Sequence, residues 1–417
     1  MLQYRQPFKD IMKMKIIAAD YIYTPHGYIS NQAVAFTDTI QDMDTLDVLR
    51  SKYPEANITK AEPNAVLYPG FINTHVHLEF SSNKTSLKYG SFMPWLDSVI
   101  QHREDLVSAS NNDVMINECE SMLRSGITTF GAISSFGNEL EVCEKSPQRV
   151  VFFNELIGSN AQYADMLYTD FLERVKASQS SKKEFRITPA IAIHSPYSVH
   201  PIILQKAVNV AKEYTLPLSA HFLESQAERK WLEYGEGELK GFFETYFKTS
   251  IPVTTIQEFM YAFDTYPTHF THCVHANQVE LDYLAQMGHS IAHCPRSNRY
   301  LGVGRLHIEN LKLPFSLATD GLSSNDSLNI FDEMRAALLL HNELPLQELA
   351  TTLLKSATSD AADILGLNNG RIEVGKFADF AIVTLRETPK REEEIALWTV
   401  LHTKEVSSVY IAGDKIH

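Results

Sequence analysis

The sequence predicts an α/β protein in which a (β/α)8 barrel is joined to a small β-sandwich. Three observations support this fold class. About eight β-like runs alternate with helical patterns through the middle of the chain, and such alternation requires parallel strands joined by right-handed crossovers. Short β-like runs broken by turn residues occur near both chain ends. Several histidines and one aspartate follow the apolar runs directly, where a barrel of this kind carries its functional residues.

Length and composition fit this architecture and exclude some functions. The chain has 417 residues and a hydrophobic fraction of 44%, enough for one barrel-sized domain and a smaller appendage. A formal net charge of -14 without clustered Lys or Arg argues against nucleic acid as a partner. The four cysteines have no C-x-x-C spacing, which indicates free thiols in a reducing compartment. No apolar run reaches the roughly 18 residues of a membrane span, so we expect a cytoplasmic protein without membrane association.

The β-sandwich is predicted to combine both ends of the chain, residues 1–65 and 366–417. Short β-like runs such as Lys15–Ala19 and Ala33–Phe36 lack a helical period, and similar runs return at Phe380–Leu385 and Val406–Ile411. The residues before Met14 are interpreted as a disordered extension or a misassigned start.

The barrel is predicted over residues 66–365. Eight strands, the count of a closed TIM-type barrel, are placed near 66–77, 127–133, 149–156, 186–194, 217–223, 268–275, 290–294 and 314–320. An aromatic-rich insertion at 225–264 is interpreted as helices that pack on the barrel or on a second subunit, with a substrate lid as the alternative.

Residues at the strand ends predict a single metal site. His75 and His77 are two residues apart, so both imidazoles lie on one face of a strand. His221 and Asp320 end two later strands, and we predict that these four residues bind one divalent metal ion. Three neutral imidazoles and one carboxylate suit Zn²⁺ or Fe²⁺ equally. A metal of this type lowers the pKa of a bound water towards about 7.

Hydrolysis also requires residues that transfer protons. Glu224 lies three residues after His221 and is predicted to carry a proton to the substrate and the leaving ammonia; the alternative is a solvated carboxylate at a helix start. His272 is predicted to hydrogen-bond the attacking water, and Asp320 to accept its proton. His293 is expected to shape the pocket. Glu155 could support a second metal, but no lysine suitable for carboxylation lies at these strand ends, and we predict one metal.

Together these motifs resemble the amidohydrolase superfamily, in its branch of aminohydrolases that act on adenosine-type compounds. The similarity spans nearly the whole chain and lies in the segments 69–77, 194–197, 221–224, 272–275, 293–298, 319–325 and 370–379. The resemblance implies hydrolytic deamination of an adenine ring, with release of ammonia.

The resemblance also implies residues that contact the substrate. In related deaminases a glutamate after a Trp-Leu pair binds the ribose hydroxyls, and by position that residue is Glu104, which follows Trp95-Leu96. His194, in a His-Ser-Pro-Tyr motif, is implied in a further contact. The bland alternatives are a helix-surface carboxylate for Glu104 and a strand-end histidine bonded to backbone for His194.

The finer features are more similar to the aminodeoxyfutalosine deaminases of the alternative menaquinone pathway. Examples are the segments 77–83, 89–92 and 194–200, and the arginine that follows Ser297-Asn298 where lysine is common in the other subgroup. The substrate of that family joins an adenine nucleoside to a benzoate group. Arg299 or Arg296 is a candidate partner of its carboxylate, with a surface salt bridge as the alternative.

Other functions stay open at this point. The same chemistry could act on S-adenosylhomocysteine, methylthioadenosine or adenosine, and a more distant alternative is amide or halide hydrolysis. A non-catalytic scaffold is a different class of function, but the retained ligand candidates and Glu224 argue against it. The expected partner is a small nucleoside substrate, and similar proteins are often homodimers.

Overall fold

The structure of the chain is a computed structural model, which describes residues 13–84, 86–181, 186–264 and 266–417. The predicted N-terminal extension lies almost entirely outside the described residues. No helix in these ranges is long and apolar enough to cross a bilayer.

The strands fall into three sheets. Those before the barrel are β1 (Lys15–Ala18), β2 (Tyr21–Thr24), β3 (Gly27–Ser30), β4 (Ala33–Phe36), β5 (Ile40–Asp44), β6 (Asn57–Lys60) and β7 (Ala65–Pro69). Those of the barrel are β8 (Phe71–His77), β9 (Ile127–Ser134), β10 (Arg149–Leu156), β11 (Ile187–Ile193), β12 (Leu218–Phe222), β13 (His269–His272), β14 (Ser290–His293) and β15 (Phe315–Leu317). Those after it are β16 (Phe380–Thr384), β17 (Ser408–Ile411) and β18 (Asp414–Lys415).

Strands β8 to β15 form one parallel sheet in sequential order, and this confirms the predicted (β/α)8 fold. The strands are short and largely apolar because helices and the barrel interior bury both of their faces; every residue of β10 is buried. The first and last strands meet at a seam that side chains help to close. Asp320 donates its backbone N–H to the carbonyl of His75 (3.1 Å), and Asn73 exchanges hydrogen bonds with Thr319.

The helices lie mostly between the strands. They are α1 (Leu46–Lys52), α2 (Phe92–Ala109), α3 (Asn112–Arg124), α4 (Leu140–Lys145), α5 (Ala164–Gln179), α6 (Pro201–Tyr214), α7 (Gln226–Tyr234), α8 (Glu238–Tyr246), α9 (Ile256–Tyr261), α10 (Gln278–Gln286), α11 (Pro295–Tyr300), α12 (Ile330–Leu340), α13 (Leu346–Ser356), α14 (Ser359–Leu365) and α15 (Glu393–His402). Short 3-10 turns occur at Ala161–Tyr163, Pro196–Ser198 and Ile308–Asn310. Polar caps set several helix starts: the side chain of Ser225 accepts from the backbone of Glu228, and Asn277 forms a capping box with Glu280.

The strands before the barrel and those after it together form a β-sandwich, as predicted. One sheet has the order β5-β4-β1-β6, and the other has the order β18-β17-β16-β7-β2-β3. Side chains from both sheets share one apolar core, which includes Ile17, Phe36, Leu67, Phe380 and Tyr410. The predicted domain boundaries at 65/66 and 365/366 stay predictions.

The prediction of a single strand over 66–77 is wrong in one respect, because two strands that belong to different sheets lie in this segment. β7 pairs with β16 in the sandwich, whereas β8 pairs with β9 in the barrel. The chain passes between the sheets at Gly70, where a Cβ atom would lie 2.0 Å from Thr128 Oγ1. Only glycine fits this approach.

A buried ion pair joins the barrel to the sandwich. Arg149 at the start of β10 donates from Nε to Asp379 Oδ2 (2.7 Å) and from Nη2 to Oδ1 (3.2 Å). Asp379 also accepts from the backbone of Ala412 (2.8 Å). The guanidinium lies 3.8 Å from the ring centroid of Phe377, so its charge is paired and its face is packed.

Candidate active site

A cavity of about 230 Å³ opens at the carboxyl ends of the barrel strands. Its lining includes His77, His194, His221, Glu224, His272 and Asp320. Parallel strands bring their ends to one face of the barrel, so residues far apart in sequence meet there. The structure thus brings together all the strand-end residues predicted for catalysis.

Three imidazoles converge beneath this cavity. His75, His77 and His221 each offer one ring nitrogen, and these atoms lie within 4.8 Å of one another. The ring centroids of His75 and His221 are 4.8 Å apart. The register of β8 against β9 shifts between Asn73 and Val76, and a bulge of this kind re-aims the side chains next to it.

Asp320 completes the arrangement from the other side of the seam. Its Oδ1 lies 3.8 Å from Nε2 of His75 and 3.8 Å from Nε2 of His77. Its Oδ2 accepts hydrogen bonds from the hydroxyls of Ser297 (2.8 Å) and Ser324 (2.9 Å). The carboxylate is therefore fixed with one oxygen towards the histidines.

These residues fit a divalent cation. His75 is 1% exposed, yet its Nε2 has no hydrogen-bond partner among the described residues, while its Nδ1 lies 3.2 Å from Thr271 Oγ1. Burial lowers the pKa of His75 and of His221 well below the usual value, so both imidazoles are neutral and keep a lone pair for a metal. Ligand atoms about 2.0–2.2 Å from one ion lie roughly 3–4 Å apart, and the 3.8 Å distances from Asp320 Oδ1 to His75 and His77 fall in this range.

Glu79 is a functional candidate that the sequence analysis missed. It is 2% exposed, and its Oε1 lies 3.2 Å from Nδ1 of His77. Burial lowers the pKa of His77, but Glu79 and Asp320 outweigh that effect and raise it to about 10. A carboxylate behind a metal-binding imidazole fixes its orientation and makes it more basic. The signal in the sequence was the spacing of two residues between His77 and Glu79.

Glu224 and His272 form a second group that shares Asp320. One ligand atom of each of these three residues lies within 4.8 Å of the others, and Glu224 Oε1 is 3.5 Å from His272 Nε2. The ring of His272 is held by Asn298, whose Oδ1 lies 2.9 Å from Nδ1. Burial, with the nearby charge of Asp320, raises the pKa of Glu224 well above its usual value. Burial therefore favours the protonated form of Glu224.

The backbone around this group is unusual. Leu223, His272, Cys273 and Asp320 have φ angles of 46°, 72°, 51° and 58°, in the left-handed region that non-glycine residues rarely adopt. Such conformations cost about 1–3 kcal/mol each and cluster at functional sites. Glu228 supports one of these turns by accepting from the backbone N–H groups of Leu223 (3.1 Å) and Glu224 (2.8 Å).

His194 and Glu155 lie beside the imidazoles. Burial lowers the pKa of His194 to about 3, and its Nδ1 is 2.6 Å from Ser198 Oγ. Glu155 Oε1 lies 3.5 Å from Nδ1 of His221, and its Oε2 accepts from Ser135 (2.7 Å). In the described part of the chain Glu155 belongs to neither group with metal-ligand spacing.

Three other predicted residues lie away from the cavity. Glu104 is exposed and lines a neighbouring groove, and Arg299 is exposed near the end of α11. Arg296 has a side chain that is 11% exposed, and it pairs with Asp326 and Asp332 outside the cavity. The prediction that His293 shapes the pocket is wrong, because its Nε2 lies 3.0 Å from Nε2 of His341, at the end of α12 on the outer side of β14.

The insertion at 225–264 packs on the barrel and also lines the cavity. Phe259 is buried and stacks on Phe222 of β12, with ring centroids 6.0 Å apart. Phe242, Phe243 and Phe247 lie in the cavity wall. The favoured interpretation as packing helices agrees with the first contact, and the three phenylalanines add a direct role in forming the cavity.

Comparison with known proteins gives consistent results. The profile of the amidohydrolase family matches residues 66–416. The aminodeoxyfutalosine deaminase of Nitratiruptor sp. is 44% identical over 403 residues, which is 96% of this chain and 99% of that protein. The adenosine deaminase of Helicobacter pylori is 35% identical over 93% of this chain and 95% of that protein.

A solved structure agrees with these relatives. The crystal structure of Helicobacter pylori aminofutalosine deaminase in complex with methylthio-coformycin superposes with a TM-score of 0.92 at 33% identity, and it covers 97% of this chain and 100% of that one. The family profile, the related deaminases and the buried cluster of imidazoles and carboxylates lead to one conclusion: the chain belongs to the amidohydrolase family and is a hydrolytic deaminase.

Proposed function

We propose that this enzyme deaminates the adenine moiety of 6-aminodeoxyfutalosine, releases ammonia, and acts in menaquinone biosynthesis. The observation that carries the substrate assignment is the match to the Nitratiruptor aminodeoxyfutalosine deaminase, which extends over almost the full length of both chains at 44% identity. The cavity supports it, because ionisable groups occupy one part of its wall and Trp95, Leu96 and Phe242 line another. A nucleoside with an apolar substituent has both kinds of surface.

We further propose that His75, His77, His221 and Asp320 hold one divalent cation, Zn²⁺ or Fe²⁺. The support is the unpartnered Nε2 of His75, the neutral state of two imidazoles, and the 3.8 Å spacing of Asp320 Oδ1 from two ring nitrogens. A cation bound there would supply an activated water for attack on the purine ring. Both metals accept this ligand set.

The proton transfers are proposed for Glu224, His272 and Asp320. Burial favours the protonated form of Glu224, which can donate its proton to a ring nitrogen of the purine. Asp320 can accept the proton of the attacking water, and that proton can return through Glu224 to the leaving ammonia. His272, whose Nδ1 is fixed by Asn298, directs Nε2 towards Glu224 and Asp320. It can therefore hydrogen-bond the water that attacks.

His194 is proposed as a substrate contact, because it lines the cavity and its neutral ring is oriented by Ser198. Glu104 as a ribose ligand and Arg299 as a carboxylate ligand stay predictions from the sequence, and their exposed positions give them no added support. A cytoplasmic location and a homodimer are likewise proposals. Light scattering of the purified protein tests the second.

The competing function is deamination of adenosine, 5′-deoxyadenosine, methylthioadenosine or S-adenosylhomocysteine. The adenosine deaminase of Helicobacter pylori, at 35% identity, favours it, as does the 5′-deoxyadenosine deaminase of Methanococcus vannielii, at 28% identity over 84% of this chain.

A steady-state assay of ammonia release with metal content recorded separates these functions. We expect kcat/KM for 6-aminodeoxyfutalosine to exceed the values for the other four nucleosides at least tenfold. Equal or higher values for any of the four would assign the enzyme to the competing function.

A further inference from the structure

One face of helix α2 lines the cavity and includes an arginine. Leu96, Val99, Ile100 and Arg103 all line the cavity, and their spacing of three or four residues places them on one side of a helix. The first three are apolar, and Arg103 is the only arginine or lysine named in the cavity wall of the described chain. The wall also contains four histidines and four carboxylates.

The charge of Arg103 has no anionic partner in the described part of the chain. Its guanidinium lies 4.5 Å from the ring centroid of Phe136, a contact that leaves its N–H edge free. Other arginines near the barrel mouth are paired: Arg174 with Asp170, and Arg296 with Asp326. Arg103 also borders the neighbouring groove that contains Glu104, yet no ion pair joins the two.

The effect of this charge reaches the interior of the cavity. Burial raises the pKa of Glu155 to about 7, and Arg103 is one of the groups that oppose this rise. Burial also lowers the pKa of His194, and Arg103 adds to that effect. Arg103 therefore presents positive charge to the same space in which the nucleoside is proposed to bind.

Aromatic side chains from the insertion line this space as well. Phe242 and Phe247 belong to the cavity wall, with ring centroids 5.9 Å apart. Phe247 is 44% exposed, so its ring is available to a ligand. Aromatic rings prefer other flat rings as neighbours, in offset or edge-to-face contact.

We propose that Arg103 is a specificity-determining residue that binds the carboxylate of an aromatic acid attached to the nucleoside, whose ring packs against Phe242 and Phe247. The inference rests on the proposed function and extends it by assigning the anion contact to Arg103 in place of Arg299. A guanidinium can hold a carboxylate through two parallel hydrogen bonds. The contact provides binding and selectivity, and the proton transfers do not depend on it.

The test crosses protein variants with paired substrates. Wild type, Arg103→Met, Arg103→Lys and Arg299→Met are assayed with 6-aminodeoxyfutalosine, with its carboxamide analogue, and with adenosine. Gln101→Met is the matched control, because Gln101 is exposed on the same helix and borders neither cavity nor groove. Melting temperatures verify that each variant is folded.

We expect Arg103→Met to lower kcat/KM for the carboxylate substrate by about 10- to 100-fold, mainly through KM. It should change the carboxamide and adenosine rates less than threefold, and Arg103→Lys should recover part of the loss. Equal losses on all three substrates, or loss of carboxylate preference in Arg299→Met with its retention in Arg103→Met, would overturn the inference. Wild-type enzyme with no preference for 6-aminodeoxyfutalosine would instead overturn the proposed function.

Discussion

Replacement of Glu224 by glutamine tests the proposed proton transfer most directly. Glutamine keeps the size of the side chain and is neutral, like the protonated form of Glu224 that burial favours. It cannot release a proton to the substrate. Proton transfer by a positioned side chain contributes about 10²- to 10⁴-fold to the rate, so we expect kcat to fall by that factor with little change in KM.

The structure indicates that the fold will tolerate this change. The turn before α7 is held by Glu228, whose two carboxylate oxygens accept from the backbone N–H groups of Leu223 and Glu224. The side chain of Glu224 has no part in those bonds. We therefore expect the free energy of unfolding to change by less than about 1 kcal/mol, as for substitutions that break no buried interaction.

The assay is ammonia release under saturating and limiting substrate, with thermal unfolding in parallel. Glu236→Gln is the matched control, because Glu236 is an exposed glutamate shortly after the same helix. If Glu224→Gln kept more than a third of the wild-type kcat, the assignment of the proton to Glu224 would be refuted. A fall in activity matched by a fall in stability would give Glu224 a structural role instead.

Three further predictions concern Glu79, the buried ion pair and the cysteines. Glu79→Gln removes the carboxylate behind His77, so metal affinity measured against a competing chelator should fall by about 10- to 100-fold; unchanged affinity would separate Glu79 from the metal site. Asp379→Ala removes the carboxylate that pairs with the buried Arg149 guanidinium, and urea unfolding should show a loss of about 3–5 kcal/mol. The exposed pair of Lys15 with Asp414 provides the contrast, since Asp414→Ala should cost no more than about 1 kcal/mol, and equal losses would contradict the reasoning. All four cysteines are buried, so a thiol reagent should react slowly with the native protein. After denaturation the same reagent should label four thiols. Rapid labelling of the native protein would contradict this prediction, because it would show that the described core opens.

The barrel was predictable from sequence because its strands are buried on both faces and end in polar residues. Apolar runs with no alternation identified the strands, and the shared direction of parallel strands predicted that His75, His221, His272 and Asp320 would meet. The structure places the four together. Their roles as metal ligands and acid-base groups are proposed from this placement.

Other features depended on which face of an element a residue occupies. In β14, Ser290 bonds His269 in the barrel interior, so the alternation of a strand places Ala292 inside and His293 outside. The position of His293 at the end of a strand led to the prediction that it shapes the pocket. The alternation of side chains along β14 would have excluded that role. The transition at Gly70 could not be read from the apolar run, because β7 and β8 are equally buried.

In helix α2, too, the face that a residue occupies determines whether it can contact the substrate. The match to a family motif selected Glu104, but Leu96, Val99, Ile100 and Arg103 form the side of the helix that lines the cavity. Glu104 follows Arg103 by one residue, a rotation of about 100° around the helix axis. Helical periodicity was therefore sufficient to predict that Arg103, and not Glu104, lines the cavity. The acidic groove that Glu104 borders could not be predicted in this way, because it forms where α2 packs against later elements.

The seam between β8 and β15 has a consequence for how the enzyme is made. His75 lies in the first strand of the barrel and Asp320 three residues after the last one, so a chain still emerging from the ribosome holds the two halves of the site apart until the eighth strand arrives. No fragment that ends before Asp320 can assemble the complete set of groups. Deaminase activity thus reports that synthesis of the whole ring has finished, and a product truncated before Asp320 would be inactive whatever local structure it retained.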